Sequence, residues 1–200
     1  GFSNSDVLGS AKGWAGAFLH NEKAKQALEN FYARDDVMSV GICNGCQLFM
    51  ELDLINPKHE EKGKMTFNDS HKHESGFTSV NVLKSNSIML SSLEGCTLGV
   101  WISHGEGKFI LPKSEDNYNI AAKYGYDAYP ANPNGSDYNT AMICSEDGRH
   151  LAMMPHIERS MFKWNWANYP ERDDDISPWV IAFQNAFEWC VGFEAGENKS

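Results

Sequence analysis

Cys43 stands at the centre of Gly41-Ile42-Cys43-Asn44-Gly45, between an apolar run and a helix-like run, and that placement suits a nucleophile. Val37-Met38-Ser39-Val40 reads as a short buried strand, and Gln47 to Leu52 as the first turns of a helix. A strand that turns directly into a helix holds its central residue at strained backbone angles. The expectation is that a Cβ at position 41 or 45 would clash there. The sulfur would project from the tip of the bend beside a helix N-terminus, which favours thiolate, the nucleophilic form. A buried cysteine on a glycine-rich loop has the same five letters, so the motif alone leaves both readings open.

A cysteine nucleophile needs a base to take its proton and a third group to orient that base. Met153-Met154-Pro155-His156-Ile157-Glu158-Arg159 follows an apolar strand-like run. His156 and Glu158 are two apart, so a bend or extended segment puts both on one side, with Glu158 fixing the imidazole tautomer. Ser103-His104-Gly105-Glu106-Gly107 repeats the arrangement after another apolar run; it is either a rival triad or a lip whose glycines let backbone approach a ligand. Cys43-x-x-Cys46 lacks the second ligand pair of a structural zinc site. His59, His71, His73 and Glu74 fall in a polar, lysine-containing stretch that reads as a solvated loop rather than a metal site.

The chain has 200 residues, which suits one domain with a full core, and a formal charge of -10. That charge argues against nucleic-acid or anionic-membrane binding, both of which need a basic surface. No apolar run approaches about 18 residues, so no membrane span is expected, and no charged-then-apolar leader is visible. Five cysteines without framework spacing (43, 46, 96, 144 and 190) point to reduced thiols and a cytoplasmic protein. Gly1 to Asp6 reads as loop with no initiating methionine, as if the chain opened inside a larger unit.

The elements that must position Cys43 and His156 follow from periodicity. Asn21 caps a helix to about Arg34 with Ala24, Ala27, Leu28 and Phe31 on one face. The elbow helix ends before Asn56-Pro57, and residues 57–76 read as irregular. Phe77 to Val82 and Thr97 to Ser103 read as strands. Thr140 to Cys144 and His150 to Met154 flank Ser145-Glu146-Asp147-Gly148 as a hairpin. Ser177-Pro178 opens the last helix, with Trp179, Phe183, Ala186, Phe187 and Cys190 as its buried stripe, and a frayed tail is expected over 192–200. The class is α/β, an open doubly wound sheet with an antiparallel insertion. An elbow strand is normally central in such a sheet, so further βα units are expected upstream.

Gly-Ile-Cys-Asn-Gly-Cys-Gln, Ser-His-Gly-Glu-Gly, Tyr129-Pro130-Ala131-Asn132-Pro133-Asn134-Gly135-Ser136 and Met-Met-Pro-His-Ile-Glu-Arg occur in that order. Together they resemble the class I, triad glutamine amidotransferase domain of the phosphoribosylformylglycinamidine synthases of the large fused type. The resemblance covers nearly the whole chain and implies a flavodoxin-like sheet of the class I amidotransferase type. It implies Cys43 as nucleophile, His156 as base and Glu158 as its orienter, with Cys46 packing inside. Asn44 and Phe2, the latter in an oxyanion loop running from Gly1 to Gly9, would supply oxyanion-hole N–H groups. Gln47, Ser103, His104, Gly105 and Glu106 would hold glutamine. It implies no cofactor or metal in this chain, glutamine as substrate and a synthase domain as partner. ATP and Mg²⁺ would be used in that synthase part, in purine biosynthesis. Ile157 replaces the family's usual proline between the triad His and Glu, with the spacing kept. The alternatives are a standalone glutaminase subunit of the same enzyme, a cysteine hydrolase on the same fold, and a catalytically silent module.

Overall fold

A computed structural model describes residues 9–171 and 173–194. In chain order its elements are α1 (Lys12–Leu19), α2 (Glu22–Tyr32), β1 (Ser39–Ile42), α3 (Asn44–Glu51), β2 (Lys64–Thr66), β3 (Glu74–Val82), β4 (Thr97–His104), β5 (Lys108–Ile110), β6 (Asn119–Tyr124), β7 (Thr140–Cys144), β8 (His150–Met153) and α4 (Trp179–Glu194). Short 3₁₀ turns, one of them Ile157–Arg159, join several of these.

The main sheet has the order β1-β8-β7-β6-β3-β4. β1 and β8 are parallel, with Ile42 opposite Met153, and every other neighbour pair is antiparallel. The parallel pair carries the elbow, and the antiparallel strands, more extensive than an insertion, make up the rest of this mixed sheet. β4 is the far edge of that order, yet Trp101 in β4 bridges His156, just past β8. Only a strongly curled sheet brings those two places together, and strand twist supplies the curl.

The sheet is covered on both faces. On one side α4 packs Trp179 and Ala182 among Val80, Val100, Ile102, Met142 and Met153. On the other, α3 packs Cys46, Phe49 and Met50 among Phe109, Ile120, Ile143 and Ala152. β7 and β8 form the expected hairpin. Ser177 caps α4 as anticipated, its Oγ accepting from Trp179 N at 3.2 Å, and Trp179 Nε1 reaches Gly99 O at 2.8 Å. The stripe is shorter than the periodicity suggests: Phe187 and Cys190 are exposed, because only the first turns of α4 lie against the sheet. The helix continues to Glu194, past Gly192, and residues 195–200 lie outside the described ones.

Three other expectations need correction. Val40 is 39 % exposed, since β1 is an edge strand among the described residues. α2 forms, with Asn21 Oδ1 accepting from Lys23 N and Ala24 N, but it buries no residue fully; it lies on the outside, and Ala27 is exposed. The stretch 57–76 is not uniformly irregular. It contributes β2, paired antiparallel with β5, and the start of β3.

Candidate active site

Cys43 sits between β1 and α3 at φ 55°, ψ -105°, the strained bend that the glycine spacing implies. At Gly41 an added Cβ would meet Gly45 O at 2.6 Å and Gly45 C at 2.8 Å. At Gly45 it would meet nothing among the described residues within 4 Å. The steric demand therefore falls on position 41 alone, because the chain doubles back over Gly41 while Gly45 faces open space.

Three hydrogen bonds fix the bend against its neighbours. Cys43 N donates to Met153 O at 2.8 Å, continuing the parallel register of β1 and β8. Cys43 Sγ lies 3.5 Å from Ser103 O in β4. His156 N donates to Trp101 O at 2.8 Å. Nucleophile and imidazole thus hang from adjoining strand ends, and β4 closes over both.

His156 is fully buried, and its Nδ1 is 2.6 Å from Glu158 Oε1. Arg159 Nε lies 3.6 Å from the same oxygen. Burial works to raise the Glu158 carboxyl, but the hydrogen bond and charge of His156 outweigh it and hold it below the usual carboxylate range. An ionised Glu158 only accepts, so Nδ1 carries a proton, and in the neutral ring Nε2 presents the lone pair. That Nε2 is buried without a hydrogen-bond partner among the described residues.

Burial pushes the Cys43 thiol up, against the lowering effects of the Asn44 backbone N–H and of Arg159. The direction is opposite to the thiolate that the sequence suggests, because a buried sulfur loses solvation that its few polar neighbours do not return. A resting thiol therefore depends on a nearby base to become a nucleophile. Cys46 is fully buried beneath it, its thiol pushed well up by desolvation.

The second His-Glu pair has a different geometry. His104 Nδ1 is 3.1 Å from Asn68 Oδ1, while the Glu106 carboxylate accepts from Ser10 Oγ at 2.6 Å. His104 and Glu106 are thus each bonded elsewhere, and no second His-Glu triad forms there. Burial, with the charges of His156 and His73, lowers the His104 imidazole to about 4. Gln47 Nε2 donates to Glu106 O at 2.8 Å and its Oε1 accepts from Asn44 Nδ2 at 2.8 Å. Gln47 therefore ties the elbow helix to the loop Ser103–Gly107. Gly105 lies at the turn of that loop and its carbonyl accepts from Asn68 N at 2.9 Å. Phe2 and the rest of residues 1–8 lie outside the described residues.

Asn132 to Ser136 touch the same loop from behind. Asn132 Oδ1 accepts from Gly135 N and Ser136 N, and Ser136 Oγ accepts from Phe109 N at 3.0 Å. This motif braces β5 and the Asn68–Asp69 turn, whose Asp69 N donates to Asn134 O. Asn68, Ser10 and Arg159 escaped the sequence reading. Asn68 lies in a stretch that composition marks as solvated, and only its pairing partners reveal that it is buried. Among the described residues no group of three or more His, Cys, Asp or Glu is placed to hold a metal ion.

A family described as the CobB/CobQ-like glutamine amidotransferase domain matches residues 1–190. The chain belongs to that family. Probable phosphoribosylformylglycinamidine synthase of Caenorhabditis elegans is 40% identical over 96% of the chain. The human phosphoribosylformylglycinamidine synthase is also 40% identical over 96%, and the Arabidopsis thaliana relative, named as chloroplastic/mitochondrial, 42% over 94%. These alignments take in 17%, 16% and 15% of the relatives, so the chain spans about a sixth of their length. A solved structure described as PurLQS from Thermotoga maritima superposes with a TM-score of 0.67 at 26% identity, over 94% of this chain and 76% of that one. The amidotransferase domain thus has the expected fold class, and no helix among its described residues is long and apolar enough to cross a membrane.

Proposed function

We propose that this amidotransferase domain hydrolyses glutamine to glutamate and ammonia, with Cys43 as nucleophile, His156 as base and Glu158 as its orienter. The observation that carries the reading is His156 itself: buried, held by Glu158 at 2.6 Å, with Nε2 unpartnered among the described residues, three residues past the carbonyl that binds the amide of the strained cysteine. His156 Nε2 takes the Cys43 proton as sulfur attacks the carboxamide carbon of glutamine. The oxyanion forms near the Asn44 backbone N–H, and one such donor is worth about 3–4 kcal/mol. His156 returns the proton to the departing nitrogen, which leaves as ammonia. Water activated by the same ring then cleaves the γ-glutamyl thioester, releasing glutamate and restoring the thiol.

The relatives' names and the sixth of their length that the chain spans support a further step of the reading. Ammonia passes to a synthase part of the same protein. That part, using ATP and Mg²⁺, converts formylglycinamide ribonucleotide to its amidine in purine biosynthesis. Free cysteines suit a reducing compartment such as the cytoplasm. In this reading the Ser103–Glu106 loop, with Gln47 behind it, is the lip over bound glutamine. Phe2, ahead of α1 in the sequence, is the second oxyanion donor.

Ammonia release from glutamine, measured with and without the synthase substrates, tests the proposal, together with alkylation by a glutamine-mimicking diazoketone. The expected result is release that stops when Cys43 is alkylated, with the label mapped to Cys43. Labelling at Cys46, or hydrolysis of esters or peptides with no ammonia from glutamine, would favour a cysteine hydrolase instead.

A further inference from the structure

Asn68 is fully buried and bonds to every residue from His104 to Gly107 except Glu106. Its backbone N donates to Gly105 O at 2.9 Å. Its Oδ1 accepts from Gly107 N at 2.9 Å and faces His104 Nδ1 at 3.1 Å. Its Nδ2 donates to His104 O at 2.8 Å and to Lys72 O at 2.9 Å. Backbone partners dictate which way this amide points. A peptide N–H only donates and the two carbonyls only accept, so the atom facing Gly107 N is oxygen. That oxygen can receive only a proton from His104, which places the hydrogen on Nδ1 and a lone pair on Nε2.

Among the described residues His104 Nε2 is buried without a partner, like His156 Nε2. The two rings are within electrostatic reach of each other, and the residue before His104 lends its carbonyl to Cys43 Sγ. Two such nitrogens, on segments whose backbones flank the Cys43 bend, call for a ligand with N–H groups, and a primary carboxamide carries two. We propose that Asn68 is a positioning residue for glutamine hydrolysis: it locks His104 as the Nδ1–H tautomer, so that Nε2 accepts a hydrogen bond from the reacting nitrogen of the substrate. This rests on the glutaminase reading above and adds to it a residue outside the triad. The carboxamide nitrogen is held by one ring while the other delivers its proton. A protonated His104 would oppose the step, since it would place a donor where an acceptor is needed.

The titratable groups around His104 come from each neighbouring segment. His156 after β8 and His73 before β3 act on its ring, and Glu158 pairs with His156. Cys43 lies against the carbonyl of the preceding residue. Glu106 is two residues on in the same loop, bonded to Ser10, and the Lys108–Asp69 ion pair adjoins Asn68 in sequence. Asn68→Asp changes the field in one sense: a carboxylate facing Nδ1–H favours the imidazolium and drives a proton onto Nε2.

The test is the pH profile of kcat/KM for ammonia release by the full-length protein. Asn68→Asp is expected to lose about tenfold or more relative to wild type near pH 6 and under about threefold near pH 9. In the double variant Asn68→Asp/His104→Gln, which has no ring to titrate, the ratio to His104→Gln should be the same at both values. A uniform loss in Asn68→Asp, or a pH dependence that survives in the double variant, overturns the proposal. If Asn68→Asp does not fold, His104→Gln against His104→Phe decides. An acceptor oxygen in Gln should preserve at least about tenfold more activity than Phe, and equal activities overturn it. Wild-type protein that releases no ammonia from glutamine, or as much after Cys43→Ala, brings down the glutaminase reading itself and this inference with it.

Discussion

Replacing Gly41 by alanine should damage the elbow, whereas the same change at Gly45 should not. The added Cβ at 41 sits 2.6 Å from Gly45 O and 2.8 Å from Gly45 C, where ordinary contact begins at 3.4 Å. The turn must open by about 0.8 Å, the difference between 3.4 and 2.6 Å. The obstructing atoms are backbone, not the end of a flexible side chain, so the upper part of the overpacking range applies, about 3 kcal/mol. For a domain of this size that is a fall of roughly 6–12 °C in unfolding midpoint. A displacement of the sulfur approaching 1 Å would lower kcat about a hundredfold. Gly45 lies in the first turn of α3 with open space at its Cβ position. Alanine there should stabilise by about 0.5–1 kcal/mol through helix propensity, raising the midpoint by roughly 1–4 °C. Calorimetry of the domain's transition and the rate of Cys43 alkylation would read both effects. Equal midpoint shifts at 41 and 45, or wild-type alkylation in Gly41→Ala, would refute the steric account.

Glu158→Gln should leave the fold intact but lower kcat for ammonia release by at least about tenfold to a hundredfold, because a charge-assisted bond and the ring tautomer are lost together; unchanged kcat would sink the orienting role. Burial lowers the His104 imidazole from its ordinary 6.5 to about 4 in the folded chain, so the unfolded state binds the extra proton between those values and stability falls as pH drops. The arithmetic gives a loss of about 2 kcal/mol from pH 7 to pH 5, measurable by denaturant titration and absent in His104→Gln. Trp179→Phe keeps the buried ring but strands Gly99 O, which now accepts from Nε1 at 2.8 Å; a destabilisation of about 1–3 kcal/mol is expected, and wild-type stability would show that carbonyl to be rehydrated.

Much of the site was legible because it is local. Cys43 with its flanking glycines, and His156 with Glu158 two residues on, each specify their geometry within a few positions. The hairpin of β7 and β8 and the Ser177 cap were readable for the same reason. What the sequence hid is long-range. Nothing in Ser103-His104-Gly105-Glu106-Gly107 says that its histidine bonds to Asn68 and its glutamate to Ser10, since both partners come from segments distant along the chain. The direction of the Cys43 shift also depended on burial, which the pattern around the elbow understates. Phe187 and Cys190 fit helical periodicity but outrun the sheet they were expected to cover.

The amide of Cys43 is bonded to the carbonyl of Met153, three residues ahead of His156, so the bend and the ring share one rung of the β1–β8 ladder. Any fluctuation that peels β8 from β1 must disconnect sulfur from imidazole in the same motion. Loss of turnover on heating should then coincide with exchange of those ladder protons, leaving no loosened yet working state between the two.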